Sequence, residues 1–227
     1  MKSTPSKPKV MVGIPSLKMM PTEFVISLLS IRTPGVTLQI EGNSLTHFAR
    51  GSLLKKAIEG TYDYLLMVDS DMQFEPDVIS RMVDVITQNN LDYVSSLCFK
   101  RCYPTEPVIC KSIDYAFDPE KGVIKHDVVL WTDYPKDTLF ECGGSGFGMV
   151  IIKVEKMVRM IEKFKMSPFE PLPGLGEDYS FCLRFHECGF KMYCDSRIKI
   201  GHIGNHIFSE ETYLGQLAAE ARKARGE

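Results

Sequence analysis

The feature that most constrains the fold is an alternation. Over the first hundred residues, short apolar runs of strand length take turns with longer stretches whose apolar residues recur every three or four positions. "KVMVGIPS" reads as a buried strand running into a Gly/Pro/Ser loop, and "PTEFVISLLSI" as a helix with Thr22 at its cap and Phe24, Leu28 and Ile31 on one side. "TPGVTLQIEG" is a turn and a strand. "SLTHFARGSLLKKAIEG" then sets Leu45, Phe48, Ala49, Leu53 and Ala57 on one helical face, with Gly60 as the stop. The strand "YLLMV" follows. Pro76 opens a helix with Val78, Ile79, Met82, Val83 and Ile86 as its stripe, and "DYVSSLCF" is another strand. Such an alternation predicts an α/β fold with a mostly parallel, doubly wound sheet and helices on both faces.

The second half is less regular. Residues 101 to 141 read as loop with short strands, and "CGGSGFGMVIIK" passes from a glycine loop into an apolar strand. "VEKMVRMIEKF" and "EDYSFCLRFHECG" are helices, the latter closed by Gly189, and between them lies the Pro/Gly-rich "SPFEPLPGLG". "FKMYC" and "RIKIGHIG" are strands, and Ser209 caps a final helix over "SEETYLGQLAAEARKAR". The expected organisation is a loose tail over residues 1–8, one domain over 9–208 and a terminal helix over 209–227.

Composition narrows the classes of partner. A formal net charge of -2 over 227 residues supplies no general basic field, so nucleic acid is not an expected partner. No apolar run is long enough to span a bilayer, and the charged start "MKSTPSKPKV" is unlike a signal peptide. Seven cysteines, an odd number without a C-x-x-C, suggest reduced thiols in a cytoplasmic setting.

Four stretches carry chemistry. The first is Asp69-Ser70-Asp71, at the exit of the apolar strand "YLLMV". Carboxylates are costly to bury, so a pair here is explained by something positive beside it, a divalent cation or a Lys or Arg, or else by water. Ligands of open α/β sheets bind at the carboxyl ends of strands, and Mg²⁺ or Mn²⁺ binds through one or two carboxylates plus substrate phosphates. The second is Glu177-Asp178 at a helix start, where acids are favoured by the dipole and where a general base could be presented. The third is "KIGHIGNH", in which His202 and His206 fall in or just after a short strand flanked by Gly201 and Gly204; imidazole is a good Mn²⁺ or Zn²⁺ ligand, and joint use with Asp71 is expected. The fourth is "GGSGFG", residues 143–148, which fails the dinucleotide pattern because Met149 stands at the last glycine. A bend admitting a sugar or another stretch of backbone suits it better.

In this order, "GIPS", "HFARGSLLKKA", "LLMVDSDM", the glycine loop, "GEDYSFCLR" and "GHIG" together resemble the GT-A glycosyltransferases, particularly the family 2-like enzymes. The resemblance spans roughly residues 9 to 206. It implies a single Rossmann-like GT-A domain whose residues 9–100 hold the nucleotide and 101–208 the acceptor. It also implies a nucleotide-sugar donor, a Mn²⁺ or Mg²⁺ cofactor and transfer of one sugar to a glycan, lipid-linked or small-molecule acceptor. By that likeness Ile14, Pro15, Ser16, Arg50, Asp69 and Ser70 contact the donor, and Asp69, Asp71 and His202 the metal. Asp178 is the general base, and Gly143, Gly144 and Glu177 shape the acceptor side. Lys100 or Arg101 would neutralise phosphate. Gly51 replaces the asparagine many relatives carry after the arginine, and no Q-x-x-R-W motif of processive synthases is present. The rival readings are an NDP-sugar-forming nucleotidyltransferase, a metal-dependent phosphohydrolase and a carbohydrate-binding module on the same fold.

Overall fold

The computed structural model describes residues 7–42, 45–121 and 123–225. The tail expected over residues 1–8 therefore lies largely outside the described residues. The first half runs β1 (Val10–Ser16), α1 (Thr22–Leu29), β2 (Thr37–Gly42), α2 (Thr46–Glu59), β3 (Tyr64–Val68), β4 (Met72–Gln73), α3 (Val78–Gln88) and β5 (Tyr93–Leu97). It continues with β6 (Ile109–Asp118), β7 (Val123–Leu130), β8 (Leu139–Cys142), β9 (Gly144–Ser145), β10 (Met149–Lys153) and α4 (Val154–Phe164). Last come α5 (Glu177–Glu187), β11 (Met192–Lys199), β12 (Gly201–Ile203), β13 (Ile207–Phe208) and α6 (Glu210–Arg225).

The central sheet has seven strands in the order β2-β1-β3-β10-β5-β11-β8. Strands β2, β1, β3, β5 and β11 share one direction, whereas β10 and β8 run against them. Every residue of β1, β3 and β5 is buried, which is why none of them alternates and why β3, "YLLMV", reads as an unbroken apolar run. One face of the sheet packs on Leu53, Leu54, Met157, Phe181 and Phe185 from α2, α4 and α5. The other packs on Phe24, Ile79, Met82 and Ile86 from α1 and α3. Helices therefore cover both faces, as the sequence pattern requires.

Two local expectations are corrected. Thr22 begins α1 rather than capping it, since Pro21 occupies the cap position. Residues 101–141 are not mostly loop: β6 and β7 form a long antiparallel hairpin. Most of β7 is solvent-exposed, so the strand is written in backbone pairing and leaves little apolar signature. Strand β10 is inserted antiparallel between β3 and β5, so the stretches before and after residue 100 share one sheet. Its apolar run "MVIIK" announces burial, and burial carries no information on direction.

Two small sheets finish the architecture. One, β13-β12-β4, ties the chain leaving β3 to the late "GHIG" segment; the other, β7-β6-β9, ties the glycine loop to the hairpin. The Pro/Gly-rich segment before α5 invites the idea of a mobile lid, but it is fastened. Phe169 is fully buried and stacks on Phe181 with centroids 5.2 Å apart. Arg184 donates to the carbonyls of Pro168 and Glu170, and Leu172 N donates to Ser180 Oγ at 2.8 Å. Removing Phe169 should cost about 3–5 kcal/mol of stability. Urea unfolding of Phe169→Ala checks this; a midpoint equal to wild type would show that the segment is not anchored by its aromatic contact.

Candidate active site

The parallel strands β1 and β3 end on the same side of the sheet, and their exits open a cleft of about 370 Å³. Pro15, Ser16, Arg50, Asp69, Ser70, Asp71, Glu177 and His202 all line it. They come from five separated stretches of chain. Strand β3 delivers the aspartates: Asp69 N donates to the Gly148 carbonyl at 3.0 Å, and the chain then turns into β4. Strand β12 pairs with β4, and Ile203 N donates to the Asp71 carbonyl at 2.8 Å. That pairing brings His202 beside a residue 131 positions earlier, with Nε2 3.2 Å from Asp71 Oδ2.

The positive partner expected beside the aspartates is present, once for each. Arg50, buried in α2, donates from Nη2 to Asp69 Oδ1 at 2.8 Å and from Nη1 to Glu177 Oε1 at 2.6 Å. Its guanidinium also stands 4.9 Å from the centre of the Phe147 ring. Burial opposes the charge of Arg50, but Asp69 and Glu177 outweigh it and hold the guanidinium ionised. Burial likewise raises the Asp69 pKa above the usual carboxylate range, with Arg50 opposing the rise. Arg101 donates from Nη1 to Asp71 Oδ2 at 2.8 Å. Burial tends to raise the pKa of Asp71 too, yet the hydrogen bond from His202 and the charges of His202 and Arg101 bring it below its ordinary value.

His202 is oriented by its other nitrogen. Nδ1 lies 2.9 Å from the Phe99 carbonyl, which can only accept, so the proton sits on Nδ1 and Nε2 faces Asp71. Burial disfavours its charged form, but the bonds to Asp71 and Phe99 prevail and the imidazole pKa is raised. The raised pKa lets a protonated ring donate from Nε2 to Asp71; a ring that gives up that proton keeps Nδ1–H on the Phe99 carbonyl and turns the Nε2 lone pair toward Asp71, which suits a metal ligand with an outer carbonyl partner. Among the described residues no group of three His, Cys, Asp or Glu side chains could hold an ion alone. Asp71 with His202 fits a Mn²⁺ or Mg²⁺ that takes its other ligands from phosphate and water.

Asp178, at the first turn of α5, is not among the residues that line the cleft. Its Oδ1 accepts from Tyr179 N at 2.7 Å, and its carboxylate fills the space beside two glycines. A Cβ at Gly176 would lie 2.9 Å from Oδ1, and one at Gly146 would lie 3.5 Å from Oδ2. Burial pushes the carboxyl up to about 6, against the pull of Arg50 and the Tyr179 N–H.

Not every expected residue reaches the cleft. Ile14 is fully buried in the core with Val12 and Phe24 and does not line it. Gly144 is buried and Gly143 half-buried, and neither lines the cleft. A Cβ at Gly143 would sit 2.3 Å from the Lys111 carbonyl oxygen, and one at Gly144 would meet Ile113 and Cys110. The neighbour those glycines admit is backbone and side chain of this chain. Of the two basic candidates, Lys100 turns away to Glu106 while Arg101 faces the aspartates. Leu17, Thr46 and Ala49 complete the cleft; no sequence signal marked them. His206 stacks on Tyr103 instead, with ring centroids 5.4 Å apart.

No protein-family model and no curated protein matches this sequence. Among solved structures the chain is similar to A197 from STIV, at 20% identity and a TM-score of 0.56, with 86% of each chain covered. It is also similar to GalNAc-T7, solved with UDP, GalNAc and Mn²⁺, at 13% identity and a TM-score of 0.58. The match covers 87% of this chain and 43% of that one. The fold is GT-A. At these identities the likeness carries the fold and no residue roles. Among the described residues no helix is long and apolar enough to cross a membrane.

The Arg50 triad has a direct consequence for stability. Replacing Arg50 by alanine strands two half-buried carboxylates, at a cost of about 3 kcal/mol. Thermal melting of Arg50→Ala checks this, and an unchanged melting temperature would show that the carboxylates are solvated well enough to do without their partner.

Proposed function

We propose that this protein is a metal-dependent glycosyltransferase. In this reading it moves a single hexosyl unit from a nucleoside-diphosphate sugar, by preference a UDP-sugar, to an acceptor hydroxyl, with inversion. The observation that carries the proposal is the approach of His202 Nε2 to Asp71 Oδ2 at the strand ends, with Nδ1 committed to a carbonyl. The GT-A fold and the UDP and Mn²⁺ bound by GalNAc-T7 support the same class.

The charge balance supports it as well. Asp69, Asp71, Glu177 and Asp178 gather four carboxylates around the guanidiniums of Arg50 and Arg101, an excess of negative charge that favours a divalent cation. Asp71 and His202 would hold the cation, which would supply Lewis-acid neutralisation of the leaving diphosphate. Pro15, Ser16 and Ser70 would border the nucleoside and phosphates. Arg50 holds Asp69 and Glu177 in place at the edge of the cleft.

Asp178 would take the proton of the acceptor hydroxyl as that oxygen attacks. A carboxyl raised to about 6 is still mostly ionised at neutral pH, and it is a stronger base than an ordinary aspartate. The acceptor would be a glycan, a lipid-linked sugar or a small molecule.

The first test is a thermal-shift panel of UDP, GDP, CDP and dTDP with Mn²⁺ or EDTA, on wild type and Asp71→Ala. One nucleotide should raise the melting temperature only with Mn²⁺ and only with Asp71 in place, by ~2.7 kcal/mol at a hundredfold excess over its dissociation constant. A flat panel on folded protein would sink the nucleotide-diphosphate reading and favour a phosphohydrolase or a binding module.

The second test uses the raised carboxyl. Between the ordinary aspartate pKa and about 6, folded Asp178 keeps a proton that the unfolded chain has released, so stability falls as pH rises through that window. Asp178→Asn, which can still accept from Tyr179 N, should therefore melt higher than wild type at pH 7.5, by about 1–3 kcal/mol. It should also lower transfer at least a hundredfold. Wild-type transfer should decline below pH about 6 as the base is protonated. Full activity in the asparagine variant would remove Asp178 from the chemistry.

A further inference from the structure

Two groups converge on one oxygen. Arg101 Nη1 reaches Asp71 Oδ2 at 2.8 Å, and His202 Nε2 reaches the same atom at 3.2 Å. A cation seated on the existing Asp71–His202 contact would take Oδ2 and Nε2, the two atoms that already face each other, and the Arg101 guanidinium and the cation would then compete for one ligand atom. The segment carrying Arg101 is built to present it there. Phe99 bridges to Pro107, Lys100 N donates to the Glu106 carbonyl, and Thr105, fully buried, donates from Oγ1 to the Lys100 carbonyl. Lys100 is occupied by Glu106 on the other side. The methylene stem of Arg101 lies across the bare Cα of Gly204, where a Cβ would come within 2.7 Å of Cγ. The Arg101 side chain remains half-exposed at the mouth of the cleft, so its guanidinium can turn without unpacking the core.

From this geometry we propose that Arg101 is an exchanging counterion, paired with Asp71 until a divalent cation and a nucleoside diphosphate arrive together, and then paired with the diphosphate. The second half of this statement rests on the function proposed above. The exchange keeps every charge matched in both arrangements. A cation added alone must displace a guanidinium that gains no new partner, whereas a cation arriving with phosphate gives the guanidinium an anion within reach. Arg101 thus opposes the metal alone and assists the metal with donor. It is a positioning residue for the cation and a specificity element for a phosphate-bearing donor.

The two halves predict shifts of opposite sign, which a merely structural arginine would not produce. MnCl₂ titration of wild type, Arg101→Gln and Arg101→Lys, followed by the paramagnetic resonance of free Mn²⁺, reads the first half. Arg101→Gln should bind Mn²⁺ about three- to tenfold more tightly than wild type. In saturating Mn²⁺ the same variant should bind UDP, or whichever of the four nucleoside diphosphates wild type prefers, about tenfold more weakly. Arg101→Lys should restore most of the nucleotide affinity. Gly204→Ala, which crowds the arginine stem while leaving its charge, should shift Mn²⁺ affinity in the direction of Arg101→Gln.

Unchanged Mn²⁺ affinity in Arg101→Gln, or a change of the same sign for Mn²⁺ and nucleotide, overturns the exchange while leaving sugar transfer standing. Failure of all four nucleotides to bind wild type with Mn²⁺ overturns the functional reading itself, and the exchange with it.

Discussion

The site depends on one buried cation. Arg50 enters from α2, beneath the strand ends, and joins the exit of β3 to the start of α5 through Asp69 and Glu177. A guanidinium can do this because its fork offers parallel donors in a fixed plane; a lysine at the same position would be a single point charge. Burying such a group is costly, and its partners compensate for that only in good geometry. The consequence is positional: the acid that opens α5 is held to the acid that ends β3, and Asp178, one residue on, inherits its location from that tie.

A second tie works on the far side of the same cleft. The pairing of β12 with β4 is only two residues long, yet it brings His202 to Asp71 across 131 positions of sequence. The Phe99 carbonyl then selects the tautomer. Neither tie involves much apolar area. Both depend on the sheet behind them, whose buried strands hold the exits of β1 and β3 at one level. The division of labour is that the core fixes where the strands end, and a few polar contacts decide what faces the cleft.

The glycines illustrate how the same residue type serves different ends. Gly143 and Gly144 read as a bend admitting a sugar or another stretch of backbone, and the Lys111 backbone with the Ile113 and Cys110 side chains fills the space beside them. Gly176 and Gly146 make room for the Asp178 carboxylate instead, and Gly204 makes room for the stem of Arg101. A glycine in a sequence says that something approaches closely. Whether that something is the chain itself or a visitor is a three-dimensional fact.

By itself the sequence determined the fold class. Unbroken apolar runs such as "YLLMV", alternating with helical stripes, require strands buried on both faces, and only a sheet wrapped by helices provides that. It also marked Asp69, Asp71, Asp178 and His202, because charged or titratable groups beside an apolar strand or at a helix start stand out locally. Tertiary structure alone decided the rest. That β10 runs antiparallel, that β6 and β7 form a hairpin, that Ile14 belongs to the core, and that Arg101 rather than Lys100 faces Asp71 are all outcomes of pairing between distant segments. Burial and spacing are local properties that a linear chain can display. Strand direction, the partner of a charge and the neighbour of a glycine are relations between stretches a hundred residues apart, and they exist only once the chain has closed on itself.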